Sequence, residues 1–197
     1  PHLAYNPSAH LAIVDIVLGV ADILPIRGFG YLVPRNATNN SDEILGVIFD
    51  SDAVPNQSQR LTKLTVMMGG PYWRHRSSFP NEDDVKERAL RALHSQLGLS
   101  LLTLTSHLEN IYARVMTDTI PQYLVGHPQR MAELKAAIKM HPQWRNRLSL
   151  LGYSYGGVGV NDCIANAMDT CDAISNYEQN KPPLSDITGL QPAIFPG

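Results

Sequence analysis

The chain carries no marked excess of charge of either sign. Its 16 Lys and Arg against 18 Asp and Glu leave a net charge of −2, with a pI near 6.4. The basic residues are scattered, with no stripe interleaved with aromatics, which excludes the electrostatic footprint of a nucleic-acid binder. No apolar run approaches the roughly 18 to 20 residues that a membrane-spanning helix needs. The longest, Leu11 to Leu24, is broken by Asp15 and Asp22. Cysteine is nearly absent: Cys163 and Cys171 fall on one predicted helix, about 12 Å apart along its axis. That is too far to bridge, so they read as small apolar side chains on or near its buried face. A reducing compartment is permitted. The sequons at Asn36, Asn39 and Asn56 sit in polar loops and need no glycosylation to explain them.

The usual catalytic sets are missing too. None of the seven histidines has another at i+3 or i+4, and there is no H-E-x-x-H or C-x-x-C. His107 and His127 read as structural or capping residues. Ser154 stands in Y-S-Y-G-G, which is not a nucleophile elbow. Asp42-Glu43 and Glu82-Asp83-Asp84 read as loop and helix-cap acids, not a glycosidase pair. No phosphate-binding glycine fingerprint is met. Neither a catalytic side chain nor a metal site is therefore assigned, and the pattern suits an enzyme whose cofactor carries the reactivity. The chain starts at Pro1 with no initiator methionine and no signal or transit pattern. The expectation is the later part of a longer protein.

What is present is a globular composition, 44% hydrophobic and 17% charged over 197 residues, enough for one large domain or pieces of two. The stretch Leu148 to Ile164 organises the rest. It reads as a short apolar strand (Leu148 to Leu151), a turn holding Gly152, Gly156, Gly157 and Gly159, and a helix opening at Asn161 or Asp162. The glycines let backbone approach something bulky, and a helix start aims free N–H groups and partial positive charge at the same spot. Such a place suits an anionic or electron-rich ligand. A tight crossover that needs small residues for packing accounts for the same pattern.

Strands are predicted over His10 to Gly19, Phe29 to Val33, Ile44 to Phe49 and Leu61 to Met68, with turn chemistry between them, as in an antiparallel meander. A helix capped at Asn81 or Asp83 carries Val85, Ala89, Leu93 and Leu97 on one stripe and stops at Gly98. A strand-like run, Leu99 to Thr105, follows, and the residues up to Thr119 fit helix or loop equally. After an extended IPQYLVGH, a helix with Pro128 in its first turn puts Met131, Leu134 and Ile138 on one face, ending at His141-Pro142. The last helix runs to about Tyr177 with Val160, Ile164, Met168, Cys171 and Ile174 inward. The proline-rich tail from about residue 178 reads as loose surface chain. The pattern changes near Ser106.

In order, GFGYLVP (Gly28 to Pro34), ILGVIFDS (Ile44 to Ser51), LTVMMGG (Leu64 to Gly70), IPQYLVGH (Ile120 to His127) and YSYGGVGVNDCI (Tyr153 to Ile164) together resemble the C-terminal half of the protoporphyrinogen oxidase family. The likeness covers about residues 5 to 177 and is strongest to the fungal mitochondrial type. It implies a mixed α+β and α/β fold. Residues 1–106 would be part of an antiparallel substrate-binding sheet with a helix. Residues 107–197 would be the C-terminal return of an FAD-binding α/β domain, the N-terminal Rossmann half being absent.

The family resemblance implies an FAD enzyme of the amine-oxidase-like superfamily. It oxidises protoporphyrinogen IX to protoporphyrin IX in haem synthesis, with oxygen as acceptor. Gly157, Val158, Gly159 and Val160 match the backbone that lies against the flavin; Phe29, Leu32, Ile48 and Met67 match apolar positions walling the tetrapyrrole. Peripheral attachment to the mitochondrial inner membrane and a homodimer are implied as well. The family's G-x-G-x-x-G, its membrane-binding segment and its propionate-binding arginine lie outside this sequence. The expectation is therefore that the chain alone does not hold FAD tightly. Two other readings stay open: a related flavin oxidase acting on an amine or carotenoid, and an inert piece that binds porphyrin or a partner.

Overall fold

The computed structural model describes residues 6–54, 60–179 and 187–190. It divides into two compact units, Ala9–Thr119 and a second made of Pro1–Ser8 with Ile120–Gly197. The packing thus divides after Thr119, later than the pattern change near Ser106. The residues that fit helix or loop equally form instead a long strand, β5 (Leu108–Pro121), which adds to the sheet of the first unit.

That sheet contains β1 (Ser8–Leu18), β2 (Gly30–Leu32), β3 (Ile44–Ile48), β4 (Thr62–Gly69) and β5, in the order β2-β3-β4-β1-β5. The pairs β2/β3, β3/β4 and β4/β1 are antiparallel. Only β2-β3-β4 is the expected meander. The first strand lies on the far side of β4, with Val14 opposite Val66. Ala12, Val14, Ile16 and Leu18 alternate toward the core with Leu64, Val66 and Met68, the period of two that a half-buried strand requires.

β3 breaks that period. Ile44 is opposite Met68 while Gly46 is opposite Met67, so Leu45 is an extra residue, a β-bulge. The bulge shifts the phase: Ile44 faces the core on one side of it, Val47 on the other. Ile48 is thereby turned to the opposite face.

The core face is covered by α2 (Glu82–Leu97). Asn81 caps α2 by accepting from Asp84 N–H, and the Asp84 carboxylate accepts from Asn81 N–H, a reciprocal capping box. Gly98 ends it in the left-handed region. Val85, Ala89, Ala92 and Leu93 are fully buried on the sheet-facing stripe. Trp73 is buried beside them, its indole N–H donating to Glu43 at 2.9 Å. Glu43 also pairs with Arg76 and Arg88. A short α1 (Asp50–Ala53) follows β3.

The run Leu99 to Thr105, predicted as a strand, is helical: Ser100 caps α3 (Leu101–His107) by accepting from Thr103 N–H. A serine at the cap position outweighs the strand propensity of the threonines.

The second unit holds α4 (His127–Met140) and α5 (Val160–Glu178). Met131, Leu134 and Ile138 of α4 are buried with Leu190, and Leu148, Leu150 and Tyr155 pack against them. Leu148 to Leu151 is not a strand. Among the described residues, Leu150 N–H donates to the Thr188 carbonyl and the Ser149 hydroxyl to that of Ile187. Thr188 and Leu190 are accordingly buried, not loose tail. The rest of the predicted tail lies outside the described residues.

α5 departs most from expectation. Its buried residues are Thr170 and Ala173, whereas Val160, Ile164, Met168 and Ile174, predicted inward, are exposed, Val160 to 76% and Met168 to 63%. Cys171 is exposed as well, and Cys163 half-buried. The stripe keeps its apolar spacing, but among the described residues α5 packs through Thr170 and Ala173 instead.

Candidate functional site

The register settles which predicted wall residues share a face. Leu32 is opposite Gly46, Gly46 opposite Met67, and Met67 opposite Ile13, in one row across β2, β3, β4 and β1. Gly30, Ile48, Thr65 and Asp15 form the adjacent row. Leu32, Ile48 and Met67 therefore point to the side away from α2. Leu32 is 79% exposed, while Ile48 and Met67 are half-buried. Phe29 sits just before β2, 71% exposed, its carbonyl accepting from Phe49 N–H. Gly30 is what lets β2 lie so close: a Cβ there would fall 2.1 Å from the Val47 carbonyl oxygen. The four residues make a patch on the face away from α2, reaching from the edge strand β2 to the central β4, large and flexible enough in its side chains to meet a flat apolar ligand.

Beside this patch is a group that sequence reasoning missed. The Thr65 hydroxyl lies 2.9 Å from Asp15 Oδ1 and 2.8 Å from Asp50 Oδ2. A hydroxyl has one proton to donate, so the two carboxyl groups compete for it. Asp50 is the group held above its ordinary range, by burial first, with the charge of Asp15 adding and the Thr65 bond and Lys63 opposing. The residues stand 50 and 15 positions from Thr65 in sequence. The one signal was an acid, Asp15, in the middle of an apolar strand.

In the second unit, α5 opens at Val160, just ahead of the predicted start, with Gly159 as its cap residue. Two glycines of the turn, Gly157 and Gly159, do approach something closely, but it is Asp162. A Cβ on Gly157 would lie 2.5 Å from the Asp162 Cβ, and one on Gly159 2.9 Å from Asp162 Oδ2. That carboxylate accepts from Gly159 N–H at 3.1 Å. It already places a negative charge where the helix dipole favours one, leaving a poor seat for a phosphate. The N–H groups of Val158 and Val160 have no acceptor among the described residues, and both side chains are exposed. Two free donors flanked by apolar side chains fit the edge of a flat heterocycle bearing ring nitrogens and carbonyls, the reducible end of a flavin among them.

Three consecutive carbonyls of this turn are held from outside it. Tyr153 C=O accepts from the Tyr123 hydroxyl at 2.5 Å, Ser154 C=O from the Asn6 amide at 3.2 Å, and Tyr155 C=O from His127 Nε2 at 2.9 Å. The Tyr123 oxygen in turn accepts from Gly157 N–H at 2.9 Å. Burial holds the Tyr123 phenol above its ordinary range, the Gly157 bond opposing, so the hydroxyl keeps the proton it donates. The rings of Tyr123 and His127 stack with centroids 4.0 Å apart. Among the described residues there is no cluster of three or more metal-ligating side chains. Nor is any of their helices long and apolar enough to cross a membrane.

No family model matches the chain. It is 35% identical over 174 residues to protoporphyrinogen oxidase of Schizosaccharomyces pombe, an alignment covering 87% of this chain and 34% of that protein. With the Homo sapiens protoporphyrinogen oxidase it shares 33% identity over 162 residues, covering 80% and 32%. The chain thus spans about a third of the length of the curated relatives it matches. Among solved structures, a provisionally assigned protoporphyrinogen oxidase of Exiguobacterium sp. 255-15 superposes with a TM-score of 0.67 at 25% identity. That match covers 92% of this chain and 37% of the other. Reduced UDP-galactopyranose mutase superposes at 0.54 with 11% identity, over 97% and 37%, a likeness of fold alone.

Proposed function

We propose that this chain, a segment of the protoporphyrinogen oxidase family, works as part of an FAD-dependent oxidase that takes protoporphyrinogen IX to protoporphyrin IX, with oxygen as the electron acceptor. The observation that carries the reading is the likeness to protoporphyrinogen oxidases over most of this chain. Leu32, Ile48 and Met67 on one open face, with Phe29 at its edge, offer dispersion contacts to a macrocycle. In the Gly157 to Val160 segment the N–H groups of Val158 and Val160 offer donors to the ring edge of the flavin, which when bound supplies the acceptor for hydride. The chain's own residues bind and orient; none acts as a general acid or base in this reading. The same reading, on the resemblance alone, makes the working protein a peripheral protein of the mitochondrial inner membrane and a homodimer.

One observation favours a chain that is inert by itself. The exposed stripe on α5, Val160, Ile164, Met168 and Ile174, is an apolar surface of the kind that a partner or further polypeptide covers. FAD uptake therefore depends on the part of the relatives that this chain does not span.

The test is a flavin fluorescence and absorbance titration of the chain, alone and with a separately made segment matching the first two thirds of a relative. Uptake of FAD, with peroxide released on protoporphyrinogen only when both are present, is the expected result. Porphyrin bound by the chain with no flavin uptake in either case would sink the oxidase reading.

A further inference from the structure

We propose that Asn6, Tyr123 and His127 are positioning residues, a clasp that fixes the 153–157 backbone and so sets the direction in which the following N–H groups are presented. The proposal rests on the flavin reading of that turn. Side chains from two separate segments hold three successive peptide oxygens. A peptide unit is planar, with its N–H opposite its C=O. Holding the carbonyls of residues 153, 154 and 155 toward the clasp therefore turns the N–H groups of 154, 155 and 156 to the other side. Tyr155 N–H then finds the Gly152 carbonyl at 3.2 Å. The bond from Gly157 N–H to Tyr123 closes the segment immediately before Val158.

The proton pattern is determined by the contacts. Asn6 Nδ2 lies 3.2 Å from a carbonyl, Ser154 C=O, which requires the amide nitrogen there. The same nitrogen is 3.3 Å from His127 Nδ1, so Nδ1 is the acceptor and Nε2, facing the Tyr155 carbonyl, carries the hydrogen. His127 is 1% exposed, and both of its nitrogens and both roles of the Tyr123 hydroxyl are used. A histidine that merely filled space would need none of this, and a leucine of similar size would serve.

Amide hydrogen exchange on the full 197-residue chain tests the clasp without any cofactor. Tyr123→Phe keeps the ring stack and removes only the oxygen. Exchange at Gly157 is expected to rise about fivefold or more while the β4 amides of Leu64 and Val66 keep their rates. His127→Gln, which retains an N–H donor, is expected to stay near the parent rate, and His127→Leu to match Tyr123→Phe. Unchanged exchange at Gly157 in Tyr123→Phe, or Gln no better than Leu, overturns the proposal.

A second readout separates the clasp from the flavin reading: the position of the flavin absorption band after reconstitution with FAD and the complementary segment. A band shift in Tyr123→Phe and His127→Leu but not in His127→Gln supports positioning. Altered exchange with an unaltered band leaves the bonds as mere packing and overturns it. If the parent chain takes up no flavin under the same conditions, the flavin reading fails and the positioning role fails with it, whatever the exchange rates are.

Discussion

The phenolic oxygen of Tyr123 and the amide nitrogen of Gly157 lie 2.9 Å apart, and that bond makes one structural unit of two stretches 34 residues apart. IPQYLVGH supplies the tyrosine and the histidine; YSYGGVGVNDCI supplies the carbonyls and the amide. Neither stretch alone encodes the shape of the turn.

Two neighbouring glycines should respond differently to alanine. At Gly157 a methyl group would lie 2.5 Å from the Asp162 Cβ, while at Gly156 it would meet only Asn166 Nδ2, at 3.4 Å. Gly156→Ala is expected to change stability by less than about 0.5 kcal/mol. Gly157→Ala is expected to cost about 1 to 3 kcal/mol, read from the exchange of α5 amides. Equal responses would show that Asp162 does not sit against the turn as described.

Asp50 gives a pH dependence whose sign follows from its surroundings. Burial, then the charge of Asp15, raises its proton affinity in the folded state against the Thr65 bond. Such a carboxyl contributes stability that is fully present below the unfolded-state range and is lost as the pH rises through the folded value. Asp50→Asn should therefore raise the urea midpoint at pH 7, and the gain should vanish in acid. A variant less stable than the parent at pH 7, with the deficit shrinking in acid, would reverse the assignment.

The exposed stripe of α5 makes its own prediction. Ile164→Glu with Met168→Glu alters side chains exposed to 53% and 63%, so each change should move the stability of the isolated chain by no more than about 0.5 kcal/mol. It should lower dye binding and self-association, and abolish flavin uptake with the complementary segment. Unfolding of the double variant would mean that the stripe is core.

In the first unit, Trp73 is expected to be a main anchor of the packing. It is fully buried, and its indole N–H is a partner of Glu43, which holds Arg88 at 3.0 Å. Trp73→Ala should cost about 3 to 5 kcal/mol. Trp73→Phe should cost about 1 to 3 kcal/mol, from the buried acceptor left with fewer donors. Chemical denaturation followed at β4 amides distinguishes the two.

Period and capping carried the sequence reading as far as local forces decide. The strands over β1 to β4, the cap of α2 at Asn81 and the inward face of α4 all follow from side-chain alternation or a cap within a few residues. Where the deciding contact is distant, the reading failed. Leu148 to Leu151 has strand composition, yet its bonding partner is a few residues around Thr188. β5 joins the sheet at β1, about a hundred positions earlier in the chain. The turn glycines fitted close approach to a ligand or a packed crossover equally, and at Gly157 and Gly159 the neighbour is Asp162, a few residues on. His127, read as structural or capping, does hold structure, with both of its nitrogens in hydrogen bonds that the sequence alone did not show.

The extra residue in β3 has a meaning beyond geometry. With Leu45 bulged out of the ladder, Ile44 and Val47, three positions apart, both face inward and Ile48 faces outward; regular alternation of the same sequence would put Ile44 and Val47 on opposite faces. Loss of Leu45 would let Ile44 and Gly46 follow one another in a regular ladder and would leave Val47 and Ile48 on the faces they hold. What position 45 carries is therefore less a side chain than a spacing, the extra step that lets one short strand bury residues of opposite parity.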